Sequence, residues 1–210
     1  MKKRIMCYGD SNTWGFIAGS DFKRYEDGVR WTSVLADTLG AEYTVLEEGY
    51  NGRTTVWFDP VEQRKSGLET LTTIIDSCSP LDVVIIMLGT NDTKCQFTAT
   101  SANIASSAAL IAKEIMSSPF GPVFGQAPKV LLVSPPIIEN PQFAGLFDET
   151  SAAISRGFSE DFKKQAELLS CSFFDAASCT EPDPKDGVHI TAESHSKLGR
   201  AIAEKILEII

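Results

Sequence analysis

Residues 82–92 read DVVIIMLGTND, and this stretch decides the fold. Its apolar run, Val83–Leu88, has no polar break, and it is far shorter than the roughly 20 residues that span a bilayer. A short run that is apolar at every position is typical of a strand buried on both faces, as in the centre of a parallel sheet. We therefore interpret residues 82–88 as the central strand of an α/β protein.

Four further apolar or β-branched runs lie at residues 4–8, 43–46, 129–134 and 171–174. Stretches with a helical spacing of apolar residues lie between and after them, at residues 61–77, 101–116, 151–169 and 191–210. Because strands and helices alternate, and crossover connections are right-handed, the sequence predicts a parallel sheet with helices on both faces, a three-layer α/β/α sandwich. No repeat or low-complexity tract divides the chain, so residues 1–210 are predicted to form a single domain.

The composition favours a globular protein without a nucleic-acid or membrane partner. The chain has 210 residues, of which 43% are hydrophobic, enough to fill one core. Its 19 Lys and Arg against 28 Asp and Glu give a formal net charge of −9, which repels phosphate backbones and anionic lipids. The apolar run after the basic residues 2–4 is too short for an export signal, which predicts a cytoplasmic protein.

The cysteines and histidines limit the possible chemistry. The five cysteines form no CxxC pair, so they are predicted to be reduced and mostly buried thiols rather than disulfides or zinc ligands. With two histidines, His189 and His195, the chain cannot build a His-rich metal cluster, and no metal site is predicted. Any imidazole chemistry must use one of these two residues.

Small and polar residues stand at the points where the predicted strands end. Gly9–Gly15 follows the first strand, Glu47–Thr55 the second and Gly89–Asp92 the central one, while Asp186–His189 precedes the closing helix. Ligands of parallel α/β sheets bind at the carboxyl ends of the strands, where these four segments are expected to meet. There they would bring together a hydroxyl, a carboxamide, backbone N–H groups, a carboxylate and an imidazole.

These groups form the set that acyl transfer requires. Ser11 is the candidate nucleophile, His189 is its candidate base, and Asp186, three residues earlier, is the carboxylate that would orient the base. The backbone N–H groups of Ser11 and Gly52 and the side-chain amide of Asn91 are the candidate oxyanion hole.

Each motif also has a plainer interpretation when it is taken alone. Residues 9–11 (Gly-Asp-Ser) and 186–187 (Asp-Gly) are common turn sequences, and Asp92 is a candidate helix cap. His195 lies inside the predicted closing helix, which makes it the less suitable base. The occurrence of four such motifs in this order favours the catalytic interpretation.

The four segments resemble the sequence blocks of the SGNH hydrolase superfamily, also called GDSL-like esterases and lipases. Gly9-Asp10-Ser11-Asn12 resembles the first block, Gly52 the glycine of the second, Gly89-Thr90-Asn91-Asp92 the third and Asp186-Gly187-Val188-His189 the fourth. Within the superfamily, the first two segments are similar to a bacterial arylesterase and acyltransferase branch. Asn12 departs from the pattern, because many members carry Leu there.

The resemblance implies a flavodoxin-like sheet of five parallel strands and no metal or organic cofactor. It implies Ser11, Asp186 and His189 as a catalytic triad, with Ser11, Gly52 and Asn91 forming the oxyanion hole. The implied substrates are short-chain esters, aryl esters or acetylated sugars. The arylesterase branch also implies a homo-oligomer in which neighbouring subunits narrow the pocket.

Two functions remain open on the sequence. The first is a serine esterase that hydrolyses a small-molecule ester with a short acyl group, with acyl transfer to alcohols as a side activity. The second is a non-catalytic carbohydrate- or ester-binding module on the same fold. Asp10, Asn12, Trp14 and Trp57 are candidate substrate contacts, although core packing explains the two tryptophans equally well.

Two apolar, loop-like segments, residues 117–128 and 135–148, have no role in this scheme. They either pack over the edge of the sheet or act as a lid or subunit contact. Their hydrophobic content is greater than a monomer usually leaves exposed, which also predicts a homo-oligomer.

Overall fold

A parallel sheet forms the centre of the molecule. The computed structural model describes residues 2–143 and 145–210. Within them the strands are β1 Lys3–Gly9, β2 Tyr43–Gly49, β3 Val83–Met87, β4 Lys129–Ser134 and β5 Ser172–Asp175, in the order β2-β1-β3-β4-β5. Each neighbouring pair is parallel. The predicted five-stranded α/β fold is confirmed, and its central strand β3 is buried at every residue.

Helices connect these strands and cover both faces of the sheet. They are α1 Ser11–Trp14, α2 Trp31–Leu39, α3 Gly67–Cys78, α4 Ser101–Met116, α5 Glu149–Ser155, α6 Phe158–Leu169 and α7 Ala192–Ile209. A 3-10 turn, Asn91–Thr93, follows β3, and a second one, Ala176–Ser178, follows β5.

The alternation of side chains along the strands divides the core in two. On one face, Met6, Tyr8, Val84 and Ile86 pack against α3, α4 and α6. On the other face, Ile5, Cys7, Val83 and Ile85 pack against α2 and α7. Because both faces are covered, the central strands need apolar residues at every position, which explains the unbroken run in the sequence.

Two predicted helices have different limits in the structure. The helix predicted at residues 61–77 begins at Gly67, after a serine cap. Residues 151–169 form two helices rather than one, and the second begins after Gly157. A Cβ on Gly157 would lie 2.8 Å from the Ser101 Oγ of α4, so this contact requires glycine, a residue that weakens a helix.

The two apolar loops lie at different edges of the sheet. Residues 117–128 lie beside the amino ends of the strands, where the Phe120 carbonyl accepts the Leu81 N–H at 3.0 Å. Residues 135–148 follow the carboxyl end of β4, and Ala144 lies outside the described residues. Phe143, Leu146 and Phe147 of this second loop line the cavity described below, so it does more than cover the sheet.

All five cysteines lie in the described residues, and all are free thiols. The expectation that most are buried is wrong, because Cys7 is buried, Cys95 is exposed and the other three are half-buried. Within residues 2–143 and 145–210, no helix combines the length and the apolar character needed to cross a membrane.

Candidate active site

Ser11 lies directly beyond the carboxyl end of β1, at the start of the short helix α1. An Asp10 carboxylate oxygen accepts the backbone N–H of Asn12 at 2.9 Å and so caps this helix. The helix is one turn long and ends at Gly15, which adopts a left-handed conformation. The chain therefore turns sharply after the strand and presents the Ser11 hydroxyl to a cavity.

Ser11, His189 and Asp186 form one continuous chain of hydrogen bonds. The Ser11 Oγ lies 2.9 Å from His189 Nε2, and His189 Nδ1 lies 2.8 Å from Asp186 Oδ2. Asp186 Oδ1 also accepts the backbone N–H groups of Val188 and His189, each at 2.9 Å. A spacing of three residues thus allows the carboxylate to fold back on its own turn and meet the imidazole.

Asp186 fixes the tautomer of the imidazole. Burial tends to raise the pKa of Asp186, but the hydrogen bond and positive charge of His189 outweigh burial and hold this pKa below its ordinary value. The ionised carboxylate can accept a hydrogen bond but cannot donate one, so Nδ1 of His189 carries the hydrogen of their shared bond. Nε2 is then free to accept the Ser11 hydroxyl proton, as a general base must.

Gly52 and Asn91 line the same cavity as Ser11 and His189. Gly52 lies in the turn after β2 with a φ of +79°, a conformation that favours glycine. The Asn91 Nδ2 donates one hydrogen to the Arg53 carbonyl at 3.1 Å, and an amide nitrogen carries a second hydrogen. The arrangement offers donors for an oxyanion formed at Ser11.

Two buried contacts that the sequence analysis missed hold these donors in place. The Asp92 carboxylate accepts the Thr55 backbone N–H at 2.9 and 3.1 Å and the Thr55 hydroxyl as well. The Arg53 guanidinium donates to the carbonyls of Gly9, at 2.8 Å, and Glu48. Together they tie the Gly52 turn to the ends of β1 and β3. In the sequence, the polar residues Arg53, Thr54 and Thr55 directly after Gly52 were the indication that this turn is held by side-chain contacts.

Asn12 orients the His189 segment instead of facing the cavity. Its Oδ1 accepts the Ile190 N–H at 3.0 Å, and its Nδ2 donates to the Val188 carbonyl at 3.3 Å. The amide therefore bonds to the residues on both sides of His189. Asn12 is predicted from the sequence to contact the substrate, but in the structure both ends of its side chain bond to the backbone.

The other predicted substrate contacts are also not among the residues of the described chain that line this cavity. Asp10 is buried behind the nucleophile, as the helix cap. The Trp14 ring lies under the Arg24 guanidinium at 5.3 Å. Trp57 packs against the main core beside Phe97. Side chains close to a motif in the sequence therefore do not necessarily face the cavity, because the turn at each motif directs successive side chains to different sides.

The cavity has a volume of about 290 Å³ and two chemically different sides. Phe16 and Phe143 contact the His189 ring, and the apolar side chains that line the cavity are Phe16, Phe22, Phe143, Leu146, Phe147 and Val188. Polar side chains adjoin Gly52, and they are Asn51, Glu62, Lys65 and Lys94. None of the described residues forms a group of three or more His, Cys, Asp or Glu side chains suited to a metal ion.

His195 lies in α7, away from this cavity. Its Nδ1 accepts the Trp31 backbone N–H at 3.2 Å, and its ring meets Tyr25 edge-on, with centroids 5.2 Å apart. Burial lowers its pKa to about 3, so the imidazole stays neutral in the fold. The structure thus brings His189, and not His195, to the Ser11 hydroxyl.

Two buried carboxyl groups behind the site should make stability depend on pH. Burial raises the pKa of Asp10 to about 6 and that of Asp92 to about 7, well above the unfolded value near 3.9. A group with a raised folded pKa contributes its full stability below the unfolded pKa and loses it as pH rises through the folded one. The contribution of Asp92 is therefore expected to fall by about 2 kcal/mol between pH 5 and pH 8.

Urea unfolding of the wild type and Asp92→Asn at both pH values tests this expectation. His195, whose folded pKa is lowered, acts in the opposite direction below its unfolded pKa, but it is present in both proteins and its effect cancels in the comparison. The wild type should lose more stability between pH 5 and pH 8 than Asp92→Asn. An equal loss in both proteins would contradict the assignment.

Comparison with known proteins identifies the family. Residues 7–197 match the GDSL-like lipase/acylhydrolase family. No curated protein matches the chain. Among solved structures, an aryl esterase from M. smegmatis shares 38% identity at a TM-score of 0.94, covering 99% of this chain and 100% of that one.

Two further structures are similar over the whole chain. A carbohydrate acetylesterase from Sinorhizobium meliloti shares 37% identity at a TM-score of 0.94, with 100% of both chains covered. A second carbohydrate acetylesterase family member from that organism shares 31% identity at a TM-score of 0.90, covering 99% of this chain and 98% of the other. The resemblance to SGNH hydrolases noted in the sequence is thereby confirmed. The chain is a carboxylic ester hydrolase and belongs to the GDSL-like lipase/acylhydrolase family.

Proposed function

We propose that this protein is a serine esterase that hydrolyses short-chain acyl esters, acetyl esters above all, of aryl, alkyl or sugar alcohols through an acyl-enzyme. The observation that carries the proposal is the unbroken hydrogen-bond chain from Ser11 through His189 to Asp186 at a cavity that Gly52 and Asn91 also line. The similarity to an aryl esterase and to carbohydrate acetylesterases supports the same class of substrates.

In the first half of the reaction, His189 Nε2 takes the proton of the Ser11 hydroxyl while Oγ attacks the ester carbonyl. The carbonyl oxygen becomes an oxyanion, which the N–H groups of Ser11, Gly52 and the Asn91 side chain stabilise. When the tetrahedral intermediate collapses, the bond to the alcohol breaks, and His189 returns its proton to the alcohol oxygen. Asp186 stabilises the imidazolium throughout.

In the second half, water attacks the acyl-enzyme with His189 again acting as base, and the carboxylic acid leaves Ser11. An alcohol in place of water gives acyl transfer, and we propose this as a side activity. The apolar side chains beside His189 favour it, because they limit access of water to the acyl-enzyme.

The size of the cavity favours short acyl groups. A volume of about 290 Å³ must hold both the acyl group and part of the alcohol. We expect kcat/KM to be highest for acetyl in a series of p-nitrophenyl esters from acetyl to octanoyl, since longer chains extend beyond the cavity. A higher kcat/KM for octanoyl than for acetyl would overturn the preference.

The non-catalytic binding module is the less favoured alternative. A binding module needs no proton path, yet Ser11, His189 and Asp186 are hydrogen-bonded in the order that catalysis requires. Hydrolysis by the wild type, compared with Ser11→Ala, separates the two functions.

We further propose a homo-oligomer. In the loop 117–128, Phe124 is 84% exposed and Val123 is 59% exposed, which is unusual for neighbouring apolar side chains in a monomer. Light scattering at micromolar concentration should give a particle of at least twice the chain mass of 22.8 kDa. A particle of one chain mass would contradict the proposal.

A cytoplasmic location without nucleic-acid or membrane partners completes the proposal. The five free thiols suit a reducing compartment. The net charge of −9 opposes binding to phosphate backbones and anionic lipid surfaces. The expected partner is a small-molecule ester.

A further inference from the structure

The position of His189 decides which side of the cavity holds the alcohol part of an ester. In the proposed reaction, His189 Nε2 returns a proton to the alcohol oxygen, so that oxygen must lie beside the imidazole. Two aromatic rings flank this imidazole. Phe16 stacks on it with centroids 4.4 Å apart and an interplanar angle of 27°, and Phe143 meets it edge-on at 5.9 Å. The leaving alcohol therefore lies next to the aromatic surface that Phe16 and Phe143 form beside the imidazole.

Phe22 extends this aromatic surface outward. Its ring meets Phe16 edge-on, with centroids 5.7 Å apart and planes at 81°, and it lines the same cavity. The side chain is nevertheless 78% exposed. Packing within the chain therefore does not account for a phenylalanine at this position, and one face of the ring is free to contact a bound molecule.

The backbone of Phe22 is held in a strained conformation. Its φ of +54° lies in the left-handed region, which is rare for a bulky side chain. Hydrogen bonds on both sides maintain the turn, because the Ser20 carbonyl accepts the Phe22 N–H at 3.1 Å and the Lys23 carbonyl accepts the Ile17 N–H at 3.0 Å. Strain of this kind that the surrounding structure maintains is concentrated at ligand sites.

The charged side chains of the cavity other than Asp21 adjoin Gly52 rather than His189. The Lys94 Nζ lies 2.8 Å from Glu62 and 3.2 Å from Asp59, and Glu62 reaches to 3.0 Å from the position that a Cβ on Gly52 would occupy. These donors and acceptors, which could bind a sugar, lie beside the oxyanion hole. The ester oxygen of a sugar leaving group must instead lie beside the imidazole.

Two polar residues lie near Phe22, but they offer a sugar few hydrogen bonds. The Ser20 hydroxyl already donates to the Ile17 carbonyl at 2.6 Å and accepts the Lys23 N–H at 3.1 Å. The Asp21 carboxylate lines the cavity and can accept hydrogen bonds from hydroxyl groups, but it donates none. Aromatic surface therefore predominates on this side of the cavity, which suits an uncharged aromatic alcohol best.

We infer that Phe22 is a specificity-determining residue, whose ring contacts the ring of an aryl leaving group and makes this esterase select aryl esters over alkyl and sugar esters of the same acyl group. The inference rests on the proposed function and names its preferred substrate class. An aromatic pair of this kind, together with the area it buries, corresponds to about a tenfold change in kcat/KM.

The test compares three acetyl esters: phenyl acetate, cyclohexyl acetate and a monoacetylated glucose. Phenyl and cyclohexyl acetate have the same number of heavy atoms, and comparing variants on one ester cancels the intrinsic reactivity of its leaving group. Phe22→Ala is expected to lower kcat/KM for phenyl acetate about tenfold, mainly by raising KM, and to change the value for glucose acetate less than about twofold. Cyclohexyl acetate should lie between them.

Two other substitutions isolate the aromatic contact. Phe22→Tyr should retain the wild-type ratio of phenyl to cyclohexyl acetate, whereas Phe22→Leu, which is apolar but not aromatic, should lower it. Leu168→Ala is the matched control, because Leu168 is as exposed as Phe22 but lies at the end of α6 and does not line the cavity, and it should change none of the three values.

Three results would overturn the inference. An unchanged kcat/KM for phenyl acetate in Phe22→Ala would show that the ring does not contact the leaving group. An equal loss on all three esters would assign Phe22 a purely structural role. A wild type that hydrolyses no ester faster than Ser11→Ala would refute the proposed function itself, and this outcome is distinct from the other two.

Discussion

Ser11→Ala is expected to lower kcat for p-nitrophenyl acetate by about 10⁴ to 10⁶, the largest effect of any single substitution in this protein. In the proposed reaction the Ser11 Oγ receives the acyl group, and its 2.9 Å contact with His189 Nε2 supplies the proton acceptor that activates it. Removal of either member leaves the other without a function. His189→Ala should therefore cost about as much as Ser11→Ala, and the double variant little more.

Initial rates of the three variants, with circular dichroism to verify folding, measure this effect. His195→Asn is the matched control, because the Asn Oδ1 lies where His195 Nδ1 accepts the Trp31 N–H while the imidazole is lost. This control should keep kcat close to the wild-type value. Loss of turnover in His195→Asn together with normal turnover in His189→Ala would reverse the assignment of the base. Equal rates for wild type and Ser11→Ala would favour the binding module.

The sequence was sufficient to predict that Ser11, Asp186 and His189 meet, and the reason is largely local. Asp186 and His189 are three residues apart in one turn, so their contact requires no knowledge of the rest of the fold. Ser11 and Asn91 each follow a strand of the parallel sheet, and all such strand ends meet at one edge. The unbroken apolar run at residues 82–88 had already indicated that sheet.

The parts that the sequence did not predict depend on contacts between distant segments. Asn12 orients residues 188 and 190, which are more than 170 positions away, and the residues around Asn12 in the sequence give no indication of this contact. The hydrogen bond from the Thr55 N–H to the Asp92 carboxylate likewise joins two different loops. Phe16 and Phe22 follow the nucleophile motif closely, but Phe16 stacks on the distant His189, and Phe22 reaches Phe16 from a strained turn that no propensity predicts. Local spacing thus predicted which groups meet at the cavity, and tertiary contacts determine how they are positioned.

Asn91→Ala tests the oxyanion hole separately from the triad. If the Asn91 amide donates to the tetrahedral intermediate, its loss should lower kcat by about 10² to 10³, equivalent to about 2.7 to 4 kcal/mol, with little change in KM. The same substitution removes the 3.1 Å bond to the buried Arg53 carbonyl, so stability should fall by about 1 to 3 kcal/mol as well. A loss of stability alone therefore does not identify the role of Asn91.

Thr55→Val separates the two effects. It removes the hydroxyl that binds Asp92 behind the site, so it should reduce stability by a similar amount while every oxyanion donor remains. We expect kcat of Thr55→Val to stay within about tenfold of the wild type, since only the positioning of the Gly52 turn is loosened. Enzyme kinetics and urea unfolding of both variants measure the two quantities. If Asn91→Ala lost stability but kept its kcat, Asn91 would be a loop-positioning residue and not an oxyanion donor.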